Sequence, residues 1–137
     1  MRKIPILLVL IATCFSSFSC SDNDDKMVQS IPVIPVVAEV QYAVLTDTEI
    51  ITNVKYKNSN GNLEDGALSP VPAGQWSASI VLVKPFAARL EADFVNPTAS
   101  PVNGILKILV DDILVSQQGV SVPANGTLEQ DLEYLIE

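Results

Sequence analysis

Phe86-Ala87-Ala88-Arg89-Leu90-Glu91-Ala92-Asp93-Phe94-Val95 decides the fold of this chain. Phe86, Ala88, Leu90, Ala92 and Phe94 fall on one side and Arg89, Glu91 and Asp93 on the other. Strict alternation of apolar and charged residues has the period of a half-buried β-strand, whereas a helix would need its apolar residues three and four apart. The run just before it, Gln75 to Val83, repeats the pattern with Trp76, Ala78, Ile80 and Leu82 on one face. Together these two strands carry much of the aromatic and branched material of a core.

Working towards the start of the chain, Glu39 to Leu45 alternates with Val40, Tyr42 and Val44 inward, and Thr46-Asp47 makes a turn. Glu49 to Lys57 then puts Ile50, Thr52, Val54 and Tyr56 inward and Glu49, Asn53, Lys55 and Lys57 outward. Asn58-Ser59-Asn60-Gly61-Asn62 is a turn cluster in which Asn60-Gly61 favours positive φ. A long connection to Gly74 follows, with Gly66, Pro70 and Pro72.

Towards the end, Asn96-Pro97-Thr98-Ala99-Ser100-Pro101 forces a loop and Gly104 opens a strand through Val110. Asp111-Asp112 separates it from Ile113-Leu114-Val115 as a two-residue hairpin turn, because Asp tolerates the left-handed region better than most residues. The tail is readable in two ways. Leu128, Leu132, Leu135 and Ile136 have helical spacing, and Thr127 with Gln130 mimics a capping box. As a strand, Leu128, Leu132, Tyr134 and Ile136 point inward against Glu129, Asp131 and Glu133. The strand is preferred, since a seventh strand needs a partner and Pro123-Ala124-Asn125-Gly126 makes a hairpin connection.

About seven short strands with turn signals between them predict a single all-β domain, an immunoglobulin-like antiparallel β-sandwich. The paired cysteines and central Trp of true immunoglobulin domains are absent. Tyr42-Ala43-Val44, Ile51-Thr52-Asn53-Val54-Lys55-Tyr56, Asn60-Gly61, Val71-Pro72-Ala73-Gly74-Gln75-Trp76 and Leu106-Lys107-Ile108-Leu109-Val110-Asp111-Asp112 resemble the small β-sandwich domain of MmpS-like membrane proteins. The pattern spans roughly Val40 to Val122. It implies the fold, and it implies a role as accessory subunit of a cell-envelope transporter. The chain departs from that family in lacking a membrane helix as its anchor and paired cysteines in the late strands.

Ahead of the strands the sequence reads as an address. Arg2 and Lys3 form a positive n-region, and Ile4 to Phe15 is an apolar run of signal-peptide length, too short for the roughly 20 residues that span a bilayer. Ser19-Cys20 then resembles a bacterial lipobox, with Phe18 and Ser17 departing from its usual upstream residues. The resemblance implies cleavage before Cys20 and acylation of that residue, hence membrane attachment through lipid. Ser21-Asp22-Asn23-Asp24-Asp25 looks like the acidic export signal of Bacteroidota surface lipoproteins, which implies the outer face of the outer membrane. A solvated acidic linker is its other reading. The organisation expected is a signal peptide over 1–19, a lipid-anchored, Pro-containing tether over 20–37 and the sandwich over 38–137. Ile31 to Val37 suits either the end of the tether or a first edge strand.

Composition narrows the chemistry. The 137 residues contain eight Lys and Arg against sixteen Asp and Glu, a net charge of −8. Removing 1–19 leaves six cations against sixteen acids, six minus sixteen or −10. Such a surface repels phosphate backbones, so no nucleic-acid partner is expected. There is no His, and the two cysteines, Cys14 and Cys20, both precede the folded part. Imidazole and thiolate chemistry therefore has no residues to use, and no cofactor is implied. Carboxylate-only hydrolysis is the one enzymatic reading left, and it is disfavoured because a sandwich of this length leaves little material for the cleft it requires. A cation site would draw on Asp111-Asp112 with Asp93 or Glu91.

Trp76, Tyr42, Tyr56 and Tyr134 suit either stacking on a ligand or the core, with the core favoured by their inward phase. The connection carrying Asn58, Asn60, Asn62, Glu64 and Asp65 is the candidate contact loop, since binding residues concentrate on scaffolded loops. The expectation is a non-catalytic, lipid-anchored surface module with a protein or glycan partner.

Overall fold

The computed structural model describes residues 32–137, and within them the compact unit runs from Val33 to Glu137. Eight strands form: β1 (Val37–Thr46), β2 (Ile51–Lys57), β3 (Leu63–Asp65), β4 (Gln75–Val83), β5 (Phe86–Asn96), β6 (Val102–Val110), β7 (Ile113–Val122) and β8 (Gly126–Ile136). Among the described residues there is no helix. Two antiparallel sheets, ordered β4-β1-β6-β7 and β3-β2-β5-β8, pack face to face.

The interlock at the centre is the one that defines immunoglobulin-like sandwiches. There, consecutive strands B and C lie in opposite sheets and pair with E and F. Here β1 and β2 lie in opposite sheets, and β4 returns to β1 while β5 returns to β2. The last three strands fill the flanks, β6 beside β1 and β8 beside β5, with β7 outside β6.

Alternation translates directly into burial. Val40, Tyr42 and Val44 from β1, Leu90 and Phe94 from β5, and Leu106 and Ile108 from β6 are shut away from solvent between the sheets. A Phe in such a site contributes about 3 kcal/mol by burial alone. The tail is strand throughout, paired with β5 from Phe86↔Ile136 to Asn96↔Gly126. Asp111 and Asp112 adopt φ of 50° and 64°, the left-handed pair of a type I′ hairpin turn, whose twist matches the flanking strands.

Four features differ from the sequence expectation. The eighth strand, β3, is a three-residue edge inside the connection after Asn62. Ile51 is buried as deeply as Ile50, because the β2–β5 register slips between Ile51 and Asn53. A bulge of this kind lets two successive side chains face the core. Asn96 is the last residue of β5 and buried, rather than the start of a loop. Tyr134 keeps the inward phase but stays 37% exposed.

Tyr42, Tyr56 and Trp76 pack in a row of tilted rings, half-buried Tyr56 between the two core rings, with ring centroids 5.6 and 5.4 Å apart. Gly66 is part of that packing, since a Cβ there would lie 2.5 Å from the Trp76 ring. The Tyr42 hydroxyl donates to the Lys57 carbonyl at 3.0 Å, and burial pushes this phenol up to about 12. The folded state therefore holds the proton more tightly than the unfolded chain, which ionises near the ordinary value of 10. The resulting stability is complete below pH 10 and drains away between pH 10 and 12, by about 2–3 kcal/mol. Urea unfolding at pH 9 and pH 12 should show that extra loss in the parent and not in Tyr42→Phe. Equal losses in the two would remove Tyr42 as its source.

Candidate functional site

Strand direction sorts the connections into two poles. At the entry pole, where Val33 to Val36 lead into β1, the Lys84 amide donates to the Val36 carbonyl and the Asp111 amide to the Glu39 carbonyl. The Asn58–Asn62 turn, the β4–β5 turn and the end of β8 share this pole. Val33, Ile34, Val36 and Val83 are exposed beside one another here, lining an open apolar hollow with Pro35 and Pro85.

The far pole gathers the β1–β2 turn, the stretch from Ser69 to Gly74, the β5–β6 loop and the β7–β8 turn. Thr46 organises one half of it. Its amide and hydroxyl both donate to the Gly74 carbonyl, at 2.9 and 3.0 Å, and the hydroxyl also reaches the Thr48 carbonyl at 2.7 Å. Reciprocal backbone bonds between Ile51 and Ala73 pin the other wall. Between the walls lies an open cleft of about 430 Å³, lined by Thr46, Asp47, Thr48, Glu49, Ser69 and Pro70 among others. A second hollow on the other side of the same turn shares Leu45, Thr46 and Asp47.

Asn96 organises the other half. Its Nδ2 donates to the carbonyls of Ser100, Val122 and Pro123 at 2.8, 3.2 and 3.0 Å, and its Oδ1 accepts from the Thr98 amide and hydroxyl at 3.0 and 2.7 Å. One buried side chain thus fixes the β5–β6 loop to the β7–β8 turn, and the far pole becomes a preformed surface. Hydroxyls, carbonyls and the Asp47 and Glu49 carboxylates make its cleft rich in hydrogen-bond acceptors. A ligand offering donors, such as sugar hydroxyls or basic side chains, suits that chemistry.

The sequence-predicted contact residues lie elsewhere. Asn58 accepts the Asn60 and Asn62 amides on its Oδ1 and donates its Nδ2 to Glu64, so it shapes its own turn. Gly61 takes φ of 82° at the tip. Glu64 and Asp65 belong to β3, paired with Tyr56 and Lys55. All five residues are exposed or partly exposed, at or near the entry pole. Cys20 and Ser21, Asp22, Asn23, Asp24 and Asp25, together with the signal and most of the tether, lie outside the described residues.

The aromatic stacking alternative gives way to the core for Tyr42 and Trp76, with Tyr56 half-buried against them. The cation arrangement is not assembled. Asp111 and Asp112 receive the Glu39 amide and the Gln41 side chain at the entry pole of one sheet, while Glu91 and Asp93 stand on the outer face of the other. On that outer face Arg89 holds Glu91 and Glu133 at 2.7 Å and Asp131 at 3.7 Å. Its Nε contact with Glu91 is an ion pair without a hydrogen bond's alignment. The burial around Arg89 works against its charge, but the three carboxylates outweigh it and the guanidinium is held above its ordinary range. Asp93 stands opposite Glu129 with Asn53 as its donor, which leaves the face strongly acidic.

No family model matches the chain, and no curated protein matches it.

Proposed function

We propose that this chain is a lipid-anchored surface lipoprotein of the bacterial outer membrane, whose sandwich is a non-catalytic binding module. Acylated Cys20 holds the membrane, the acidic Ser21–Asp25 stretch directs export, and the far pole faces outward to a protein or glycan partner. The observation that supports the reading most is the separation of poles. The chain arrives at one end of the sandwich, and the acceptor-rich cleft beside Thr46 to Glu49 is built at the other. The Asn58–Asp65 segment becomes the membrane-facing side on this reading, and the contact surface moves to the far pole.

Trypsin shaving of intact cells tests the location. Lys26 follows the acidic stretch, so surface display predicts release of a fragment beginning at Met27. Replacing Asp22, Asp24 and Asp25 together with Ala should protect the chain from shaving while leaving its amount unchanged. Equal release from that variant would remove the export role. Recovery of a near-stoichiometric transporter with the detergent-solubilised chain would replace the binding-module reading with the accessory-subunit role that the MmpS-like resemblance implies.

A further inference from the structure

A sandwich has four sheet edges, each a row of unpaired N–H and C=O groups that invites another strand unless something discourages it. Three are discouraged here. β3 is three residues long and carries Glu64 and Asp65. β8 carries Glu129, Asp131 and Glu133, so two copies meeting along it would set acid against acid. β7 lacks charge but is interrupted by a register slip opposite Ile108 and Leu109, and it packs against β8 across the side of the sandwich.

The fourth edge, β4, has none of these devices. Gln75-Trp76-Ser77-Ala78-Ser79-Ile80-Val81-Leu82-Val83 contains no charge and no proline, and its register with β1 runs unbroken from Val37↔Val83 to Leu45↔Gln75. Among the described residues its backbone pairs with β1 alone. Its outward-facing Val81 and Val83 are 62% and 53% exposed.

We infer that β4 is an assembly edge, and that its occupant is β4 of a second copy, paired antiparallel about a two-fold axis through Ser79. Charge selects this partner. In a chain of net charge −8, β4 is the long, uninterrupted edge whose own residues carry no acid, and the nearest acid to the axis, Glu39 of β1, is held by the Ser79 hydroxyl. The register supplies attraction as well. A two-fold through Ser79 sets Gln75 beside Val83 of the other copy and Lys84 beside Gly74 of the other copy. Gly74 lies against Glu49, whose Cγ is 3.7 Å from where a Gly74 Cβ would stand. Each end of the paired strands therefore brings a lysine of one copy towards a glutamate of the other. The two four-stranded sheets become one eight-stranded sheet, and a closed two-fold contact uses the edge up and stops growth at a dimer.

The cysteine content makes the test direct, because Cys14 and Cys20 both precede the folded part. Single thiols are placed at Ser77, Ser79 and Asp131 of the full chain in its native membrane, then oxidised, with the parent chain as background. On the axis residue 79 faces itself at roughly 4.5–5.5 Å between Cα atoms, within bridging range. Ser77 would face Val81 instead, which separates the two copies of residue 77 by roughly 14 Å. Ser79→Cys is expected to give about tenfold more disulfide-linked dimer than Ser77→Cys or Asp131→Cys, as that difference in reach requires.

In the Ser79→Cys background, Lys84→Glu should cut the dimer several-fold, and adding Glu49→Lys should restore it. Yields at Ser79 no higher than at Asp131 overturn the inference, as does a cross-link from Ser79 to a different protein. A dimer insensitive to the exchange of charges overturns the register.

Discussion

A chain carrying Cys20→Ser is expected to incorporate no labelled fatty acid, whereas on the lipoprotein reading the parent should incorporate it into the processed form. The effect is all or none because the chemistry has one acceptor. Diacylglyceryl transfer needs the thiol at the cleavage point, and the only other cysteine, Cys14, sits inside the apolar run that cleavage before Cys20 would discard. Attachment scales with buried methylenes, about 0.8 kcal/mol each, so one chain binds marginally and two or more bind firmly. On the lipoprotein reading, losing all of them would remove the anchor of a mature chain whose net charge of −10 would give it no electrostatic hold on an anionic leaflet. The Ala replacements at Asp22, Asp24 and Asp25 should leave fatty-acid labelling intact, which separates anchoring from export. Persistent labelling of Cys20→Ser would refute the lipoprotein assignment whatever the location of the chain.

The second large effect is expected at Asn96. Asn96→Ala should lower stability by about 3 kcal/mol, since it removes five hydrogen bonds made by one buried side chain, each worth about 0.5–1.5 kcal/mol. The Thr98 amide loses its acceptor and the Val122 carbonyl loses the Asn96 amide, while the Pro123 carbonyl keeps the Gly126 amide. For a domain of this size the melting temperature should fall by roughly 10–20 °C. Asn96→Asp keeps the shape and both acceptor contacts with Thr98, yet at neutral pH it turns a donor into an oxygen facing three carbonyls. It should therefore be worse than Ala at pH 7. Folding would raise the pKa of that carboxyl, so the deficit relative to the parent should shrink as pH is lowered and the group protonates. Urea titrations of the three chains at pH 7 and pH 5 measure both effects. An Asn96→Ala chain within about 0.5 kcal/mol of the parent would show the network to be dispensable.

Sequence made the strands legible wherever one face is buried and the other wet. β1, β4 and β5 alternate without interruption, and the Asp111-Asp112 turn announces its hairpin through residues that tolerate positive φ. The misread positions are those where tertiary structure overrides local pattern. Ile50 and Ile51 break alternation because a bulge re-aims the strand. Asn96 looks like a loop residue because Asn before Pro usually is one, and only the convergence of two far-pole turns gives its amide buried partners.

The pole of a loop is a different matter, because it follows from counting. A connection after an even number of full-length strands lies where the chain entered, which puts Asn58–Asn62 at the entry pole and Thr46–Glu49 opposite it. That β3 is too short to reach the far side, so that residues 66–74 must complete the climb, is the part no local signal reveals.

The placement of β1 has a mechanical meaning. It is an interior strand, laddered to β4 from Val37 to Leu45 and to β6 from Val40 to Thr46, and it is also the strand to which the leading segment connects. Tension between a captured partner at the far pole and the membrane would pull β1 lengthwise, in shear. Two ladders of hydrogen bonds would have to slip together before the domain yields, instead of opening one at a time like a zip. On the proposed reading, a membrane-tethered module would thereby carry load along both ladders of β1 at once.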